Sequence, residues 1–177
     1  MILDVGSGCD ELDIARGDIS IDLCKAPRNN PRNFICADAH HLPFREEVFD
    51  RVCMYEVIEH LENPLLCLRE IYRILKQGGT IEVSTPNIFH WRILLRQMRG
   101  LSQILSDYGH IACWTKTEMQ NILLRSGFSI IQFKYLTLPN VLTPHRILDH
   151  IARMILPSAI AERNLLTIAR KIGGAKK

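Results

Sequence analysis

The 177 residues carry 22 Lys and Arg against 19 Asp and Glu, a net charge of +3, with 47% hydrophobic and 23% charged residues. That length and balance describe one globular domain with a core of its own, and the small net charge excludes a strongly basic nucleic-acid binder. The apolar runs are shorter than a membrane span and no secretory leader opens the chain, so a cytoplasmic protein with no membrane span and no stable nucleic-acid partner is expected.

In chain order, "ILDV" (2–5) reads as a first strand, "ISIDL" (19–23) as a second and "NFICAD" (33–38) as a third. The near-continuous apolar run "DRVCMY" (50–55) reads as a buried parallel strand. A helix is expected from Pro64, capped by Asn63, with Leu65, Leu68, Ile71, Tyr72 and Leu75 on one face and Gly78 and Gly79 as its stop. "TIEVST" (80–85) is the fifth strand, and "IFHWRILLRQMR" (88–99) is a helix followed by a polar loop over 100–110. "TKTEMQNILLRSG" (115–127) is a helix capped by Thr115 or Thr117, and "FSIIQFKYL" (128–136) is the sixth strand. "HRILDHIARMIL" (145–156) is a helix expected to lay its apolar face over the sheet, with an interfacial membrane helix as the alternative. "NLLTIAR" (164–170) closes the sheet. Six cysteines without a C-x-x-C pair read as buried free thiols in a reducing compartment.

Alternating strands and helices predict an α/β domain around a mostly parallel sheet, with ligands at the carboxyl ends of the strands. Gly6, Ser7 and Gly8 follow the first strand. Glycines there allow a tight turn and a close backbone approach to an anion. Asp22, with Leu23 beside it, ends the second strand, and an acid in that place accepts hydrogen bonds from ribose hydroxyls. Asp38 and Ala39 follow the third. A glycine turn and two acids at three successive strand ends suit an adenosine ligand lying across the sheet. The short "CDELDIARG" segment between the first two strands leaves room for about two turns of helix.

"ILDVGSG", "DAHHLPF", "FDRVCMYEVIEHL", "EIYRILKQGG" and "EVSTPN", in that order, resemble the successive motifs of class I S-adenosylmethionine-dependent methyltransferases, nearest to the small-molecule methyltransferase-like (type 11) group. The resemblance implies a Rossmann-like three-layer sandwich with a seven-stranded, mostly parallel sheet and an antiparallel last strand. It implies S-adenosyl-L-methionine as methyl donor, S-adenosyl-L-homocysteine as product and a small-molecule acceptor. It places Asp4 at the methionine amino group, Gly6 and Gly8 at the methionine and ribose, Asp22 at the ribose hydroxyls, Asp38 with Ala39 at the adenine, and Tyr55 and Glu56 near the reacting methyl. Residues 1–177 are then one methyltransferase domain lacking the usual N-terminal helices, with 87–114 as a substrate-side insert. A homodimer or a partner protein is expected to cover the open cleft.

His60, just after the fourth strand, is the candidate general base. Glu56, Glu59 and His60 would share a face if that turn is helical, and with His110 they could hold a divalent metal. The pattern resembles metal-dependent methyltransferases of small-RNA 3′ ends and of ubiquinone precursors. Arg92, Arg96 and Arg99 form a basic stripe beside the apolar Ile88, Trp91, Leu95 and Met98, suited to a phosphate or carboxylate or to solvent. Two other readings stand beside methyl transfer. One is a methyltransferase-fold module that binds without turnover. The other is an NAD-dependent oxidoreductase, which the missing third glycine (Glu11 stands there) opposes.

Overall fold

A computed structural model describes residues 1–7, 17–23, 33–98, 109–137 and 146–173. Gly8, Arg99, the segment between the first two strands and most of the loop after 99 lie outside the described residues.

Seven strands form one sheet: β1 (Ile2–Val5), β2 (Ile19–Asp22), β3 (Phe34–Cys36), β4 (Phe49–Tyr55), β5 (Leu75–Pro86), β6 (Phe128–Leu136) and β7 (Asn164–Lys171). Their order is β3-β2-β1-β4-β5-β7-β6. The pairs from β3 through β5 are parallel, and β7 runs antiparallel to both β5 and β6. The chain moves outward from β1 to β3 and then returns to place β4 on the other side of β1. That reversal opens a crevice at the carboxyl ends of β1 and β4. The antiparallel β7 inserted between β5 and β6 differs from the dinucleotide-binding order, which argues against the NAD reading.

The central strands are apolar on both faces, as a covered parallel sheet requires. Leu3, Val5, Val52, Met54, Ile81 and Val83 are at most 1% exposed. Helix α1 (Pro64–Ile74) buries Cys67, Leu68, Ile71 and Ile74, each worth about 1.5–3 kcal/mol. Asn63 caps it by accepting from the Leu66 amide. The helix stops at Ile74, short of the expected glycines, because Leu75 already pairs with Phe49 as the start of β5. Glu70 and Arg73 on α1 fasten the loop after β3: Glu70 accepts from the Leu42 amide, and Arg73 donates to the Leu42 and Phe44 carbonyls.

Helix α2 spans Trp91–Met98 and begins three residues later than the sequence suggests. Asn87 holds the preceding turn, with its side-chain amide donating to the Ala159 and Glu162 carbonyls. Helix α3 (Lys116–Arg125) starts in a capping box of Thr115 and Glu118, and buries Met119 and Leu123. Helices α4 (Arg146–Ile155) and α5 (Ser158–Ala161) lead into β7. Here an expectation fails: α4 does not lay its apolar face on the sheet. Its buried members are Asp149 and Ala152, while Leu148, Ile151, Met154 and Ile155 are exposed. Of the described cysteines, Cys53 and Cys67 are buried, Cys113 is half-buried and Cys36 is exposed. Among the described residues no helix is long and apolar enough to cross a membrane.

Candidate cofactor and acceptor cleft

A cleft of ≈ 1340 Å³ runs along the carboxyl ends of β1 to β5 and continues past α2. Asp4, Gly6, Ser7, Asp22, Leu23, Asp38, Ala39, Tyr55, Glu56 and His60 all line it. The topology thus gathers ten of the eleven sequence-level site residues, and the eleventh, Gly8, is outside the described residues.

The turn after β1 is fixed by the backbone. The Gly6 and Ser7 amides both donate to the Ile21 carbonyl, at 2.8 and 3.2 Å. Gly6 has φ +73, and a Cβ there would lie 2.2 Å from Val57 Cγ2. Only glycine fits such a backbone so close to a neighbour. Asp4 points from β1 into the cleft, and burial, reinforced by the Asp22 charge, raises its pKa to about 7. Asp38 is held differently. The His40 amide and ring donate to it at 2.9 and 2.7 Å. These bonds, the backbone one foremost, keep its carboxyl below the usual range. Leu23 is largely exposed at the rim.

The turn after β4 departs from the sequence expectation. A single 3₁₀ turn covers Ile58–His60, and Glu56 sits outside it with φ 54, a strained backbone for a residue with a side chain. Glu56 therefore does not share a face with Glu59 and His60. Its carboxylate accepts from Ser84 Oγ at 2.6 Å, and burial raises its pKa. Glu59 is 1% exposed, and neither carboxylate oxygen has a hydrogen-bond partner among the described residues. Burial, then the Glu56 charge, pushes its pKa up to about 8. The Glu59 carbonyl accepts from the Ile111 and Ala112 amides at 2.8 and 3.1 Å. This draws His110 over the turn, with its ring 4.8 Å from that of His60. Ligand atoms of Glu59, His60 and His110 lie within 4.8 Å of one another. One carboxylate and two imidazoles suit a borderline divalent ion. His60 Nδ1 is 3.1 Å from the Gly109 carbonyl. A carbonyl can only accept, so Nδ1 carries the proton and Nε2 is the basic nitrogen.

Residues 3–83 match the family model described as "Methyltransferase domain". An uncharacterized protein of Methanocaldococcus jannaschii is 44% identical over 70 residues, 40% of this chain and 30% of that protein. A demethylmenaquinone methyltransferase of Corynebacterium urealyticum is 30% identical over 98 residues, 51% of this chain and 43% of that one. A SAM-dependent methyltransferase from Archaeoglobus fulgidus has the same fold, with a TM-score of 0.67 at 19% identity over 96% of this chain and 85% of that one. The methyltransferase match thus lies on residues 3–83, and the fold is shared with solved S-adenosylmethionine-dependent methyltransferases. The chain spans less than half the length of the two curated relatives.

The far half of the cleft is lined by His90, Arg92, Arg163 and Asn164, of which the sequence reading named only Arg92, and Asp149 stands behind the two arginines. Asp149, from α4, lies 2.9 Å from the guanidinium of Arg92 on α2 and 2.9 Å from that of Arg163. His90 is buried, and burial together with nearby Arg163 lowers its pKa to about 4, so its imidazole is neutral. Asn164, at the start of β7, hydrogen-bonds Glu56 across the end of the intervening β5. His90, Asp149, Arg163 and Asn164 carry no local motif, and contacts made after residue 140 gather them beside Arg92. The Tyr55 hydroxyl donates to Glu82 at 2.6 Å, so it turns toward the sheet while its ring borders the cleft.

Proposed function

We propose that this chain transfers a methyl group from S-adenosylmethionine to a small-molecule acceptor. The supporting observation is one continuous cleft of ≈ 1340 Å³ in which a nucleoside-type end, with Asp22 and Asp38, adjoins an end lined by Ile88, Ile93 and Arg96. Single small-molecule pockets run to about 1,000 Å³ at most, so the space suits a donor and an acceptor together. The described parts of the segment 87–114 supply much of the acceptor side, from Ile88 to Arg96 and from His110 to Cys113. The donor brings an electrophilic methyl: as the acceptor–carbon bond forms, the carbon–sulfur bond breaks and its electron pair stays on sulfur. The protein's part is to align the acceptor, exclude water and take its proton. Asp22 accepts the ribose hydroxyls, Asp38 and Ala39 border the adenine, Asp4 meets the methionine ammonium, and Nε2 of His60 is the base.

A second reading of the same residues rests on Glu59. A buried carboxylate without a hydrogen bond is costly, and a cation shared with His60 and His110 would satisfy it. His60 would then be a ligand, orienting acceptor oxygens in place of removing a proton. The two readings separate on chelation: methyl transfer that survives a strong chelator assigns His60 as base.

Calorimetric titration tests the whole assignment. S-adenosylhomocysteine is expected to bind and NAD is not. Asp22→Ala is expected to weaken binding by about 10- to 100-fold, the loss of hydrogen bonds to a charged acceptor. Binding of NAD without S-adenosylhomocysteine overturns the assignment. Labelled donor with cell extract then identifies the acceptor.

A further inference from the structure

Three strand ends converge on Glu56. It follows β4, and its carboxylate accepts from Ser84 Oγ on β5 at 2.6 Å and from Asn164 at the start of β7. Its amide donates to the Ser84 carbonyl at 3.2 Å, and its φ of 54 is strained. The carboxylate is therefore held in one place, and it lines the cleft at the crevice between β1 and β4. What it lacks is a counter-charge. Ser84 and Asn164 are neutral, and no basic side chain among the described residues pairs with Glu56. Arg92 and Arg163, farther along the cleft, are engaged with Asp149.

Glu59 and Thr85 repeat the pattern. Each is 1% exposed and lines the cleft, and neither the Glu59 carboxylate nor the Thr85 hydroxyl has a hydrogen bond of normal length among the described residues. The Glu56 charge is close enough to raise the Glu59 pKa. Buried oxygens that are fixed and unmatched favour a positive ligand. On the methyl-transfer reading, on which this inference rests, the donor supplies that charge. Its sulfonium is positive until the methyl leaves. The electron pair of the broken carbon–sulfur bond then makes the sulfur a neutral thioether. We infer that Glu56 faces the sulfonium and makes the cleft discriminate the donor from its product by the charge on sulfur.

Calorimetric titration of the whole chain tests this without any methyl transfer. The three ligands are S-adenosylmethionine, S-adenosylhomocysteine and sinefungin, in which a carbon bearing an ammonium replaces the methylated sulfur. A chelator in the buffer keeps divalent ions off Glu59. The wild type is expected to bind the two cations about tenfold or more tighter than S-adenosylhomocysteine. Glu56→Gln keeps an oxygen for Ser84 Oγ, so its far-ultraviolet circular dichroism should match the wild type. It should weaken both cations, leave S-adenosylhomocysteine unchanged and bring the three affinities within about threefold. Equal affinity of the wild type for the three ligands overturns the inference, because the cation at Glu56 then belongs to an acceptor amine. So does a variant that weakens all three alike, because the carboxylate then serves the turn alone. A wild type that binds none of them overturns the cofactor assignment along with it.

Discussion

Gly6 and Gly78 allow backbone strain to be separated from steric clash. Both have positive φ, +73 and +76, but a Cβ at Gly6 would lie 2.2 Å from Val57 Cγ2 whereas one at Gly78 meets nothing within 4 Å. Gly78→Ala should therefore cost the conformational part alone, about 1–2 kcal/mol. Gly6→Ala adds the displacement of Val57, about 1–3 kcal/mol for an overpacked contact. At about 2–4 °C per kcal/mol for a chain of this size, Tm should fall by about 2–8 °C for Gly78→Ala and by about 4–20 °C for Gly6→Ala. Pairing Gly6→Ala with Val57→Ala removes the clashing methyl. The double variant should regain about 1–3 kcal/mol relative to the sum of the single changes. Thermal and urea melts measure the wild type and the four variants, Val57→Ala alone included. Calorimetry with S-adenosylhomocysteine should show reduced affinity for Gly6→Ala and none of that loss for Gly78→Ala, because Gly6 sets the turn between Asp4 and Asp22. Equal destabilisation by the two alanines, or zero coupling with Val57, would refute the steric argument.

The cleft acids give a pH prediction. Asp4 and Glu59 titrate near about 7 and about 8 in the fold, mainly through burial, against ordinary values near 4. The folded chain holds these protons more tightly than the unfolded one, so stability should fall as pH rises from about 4 to about 8 and then level off. Glu59→Gln should flatten that decline in melts taken across the range, and parallel curves for the two proteins would contradict it. Asp149→Ala should strand Arg92 and Arg163, a loss of about 3 kcal/mol, or about 100-fold faster amide exchange in α4. Unchanged exchange there would show that the ion cluster does not hold the helix.

The sheet was largely legible because its signals are local. Runs such as "ILDV" and "DRVCMY" can only be buried strands in a chain this size, and turn residues mark most of their ends. Asp22 and Asp38 could be placed at strand ends for the same reason, and the crossover rule then brought them to one crevice. Helix α1 shows where local signals mislead. Its glycines look like a stop, but pairing of Leu75 with Phe49 ends the helix first. The Glu56–His60 turn was misjudged for a related cause. The shared face holds only for a helical turn, whereas Ser84 and Asn164 hold Glu56 in a left-handed backbone.

Helix α4 was the least legible element, and the reason is electrostatic. Read alone, "RILDHIARMI" has an apolar face that belongs on a sheet. In the fold, its orientation is decided by Arg92, far upstream, and Arg163, just downstream. Burying Leu148 and Ile151 in place of Asp149 would yield about 1.5–3 kcal/mol each. It would also leave two partly buried guanidiniums without a counter-charge, about 3–5 kcal/mol for breaking such a cluster. The two terms nearly balance, and the observed orientation keeps the ion cluster. Two arginines outside the helix, one far upstream and one just downstream, thus settle an orientation that its own apolar pattern opposes.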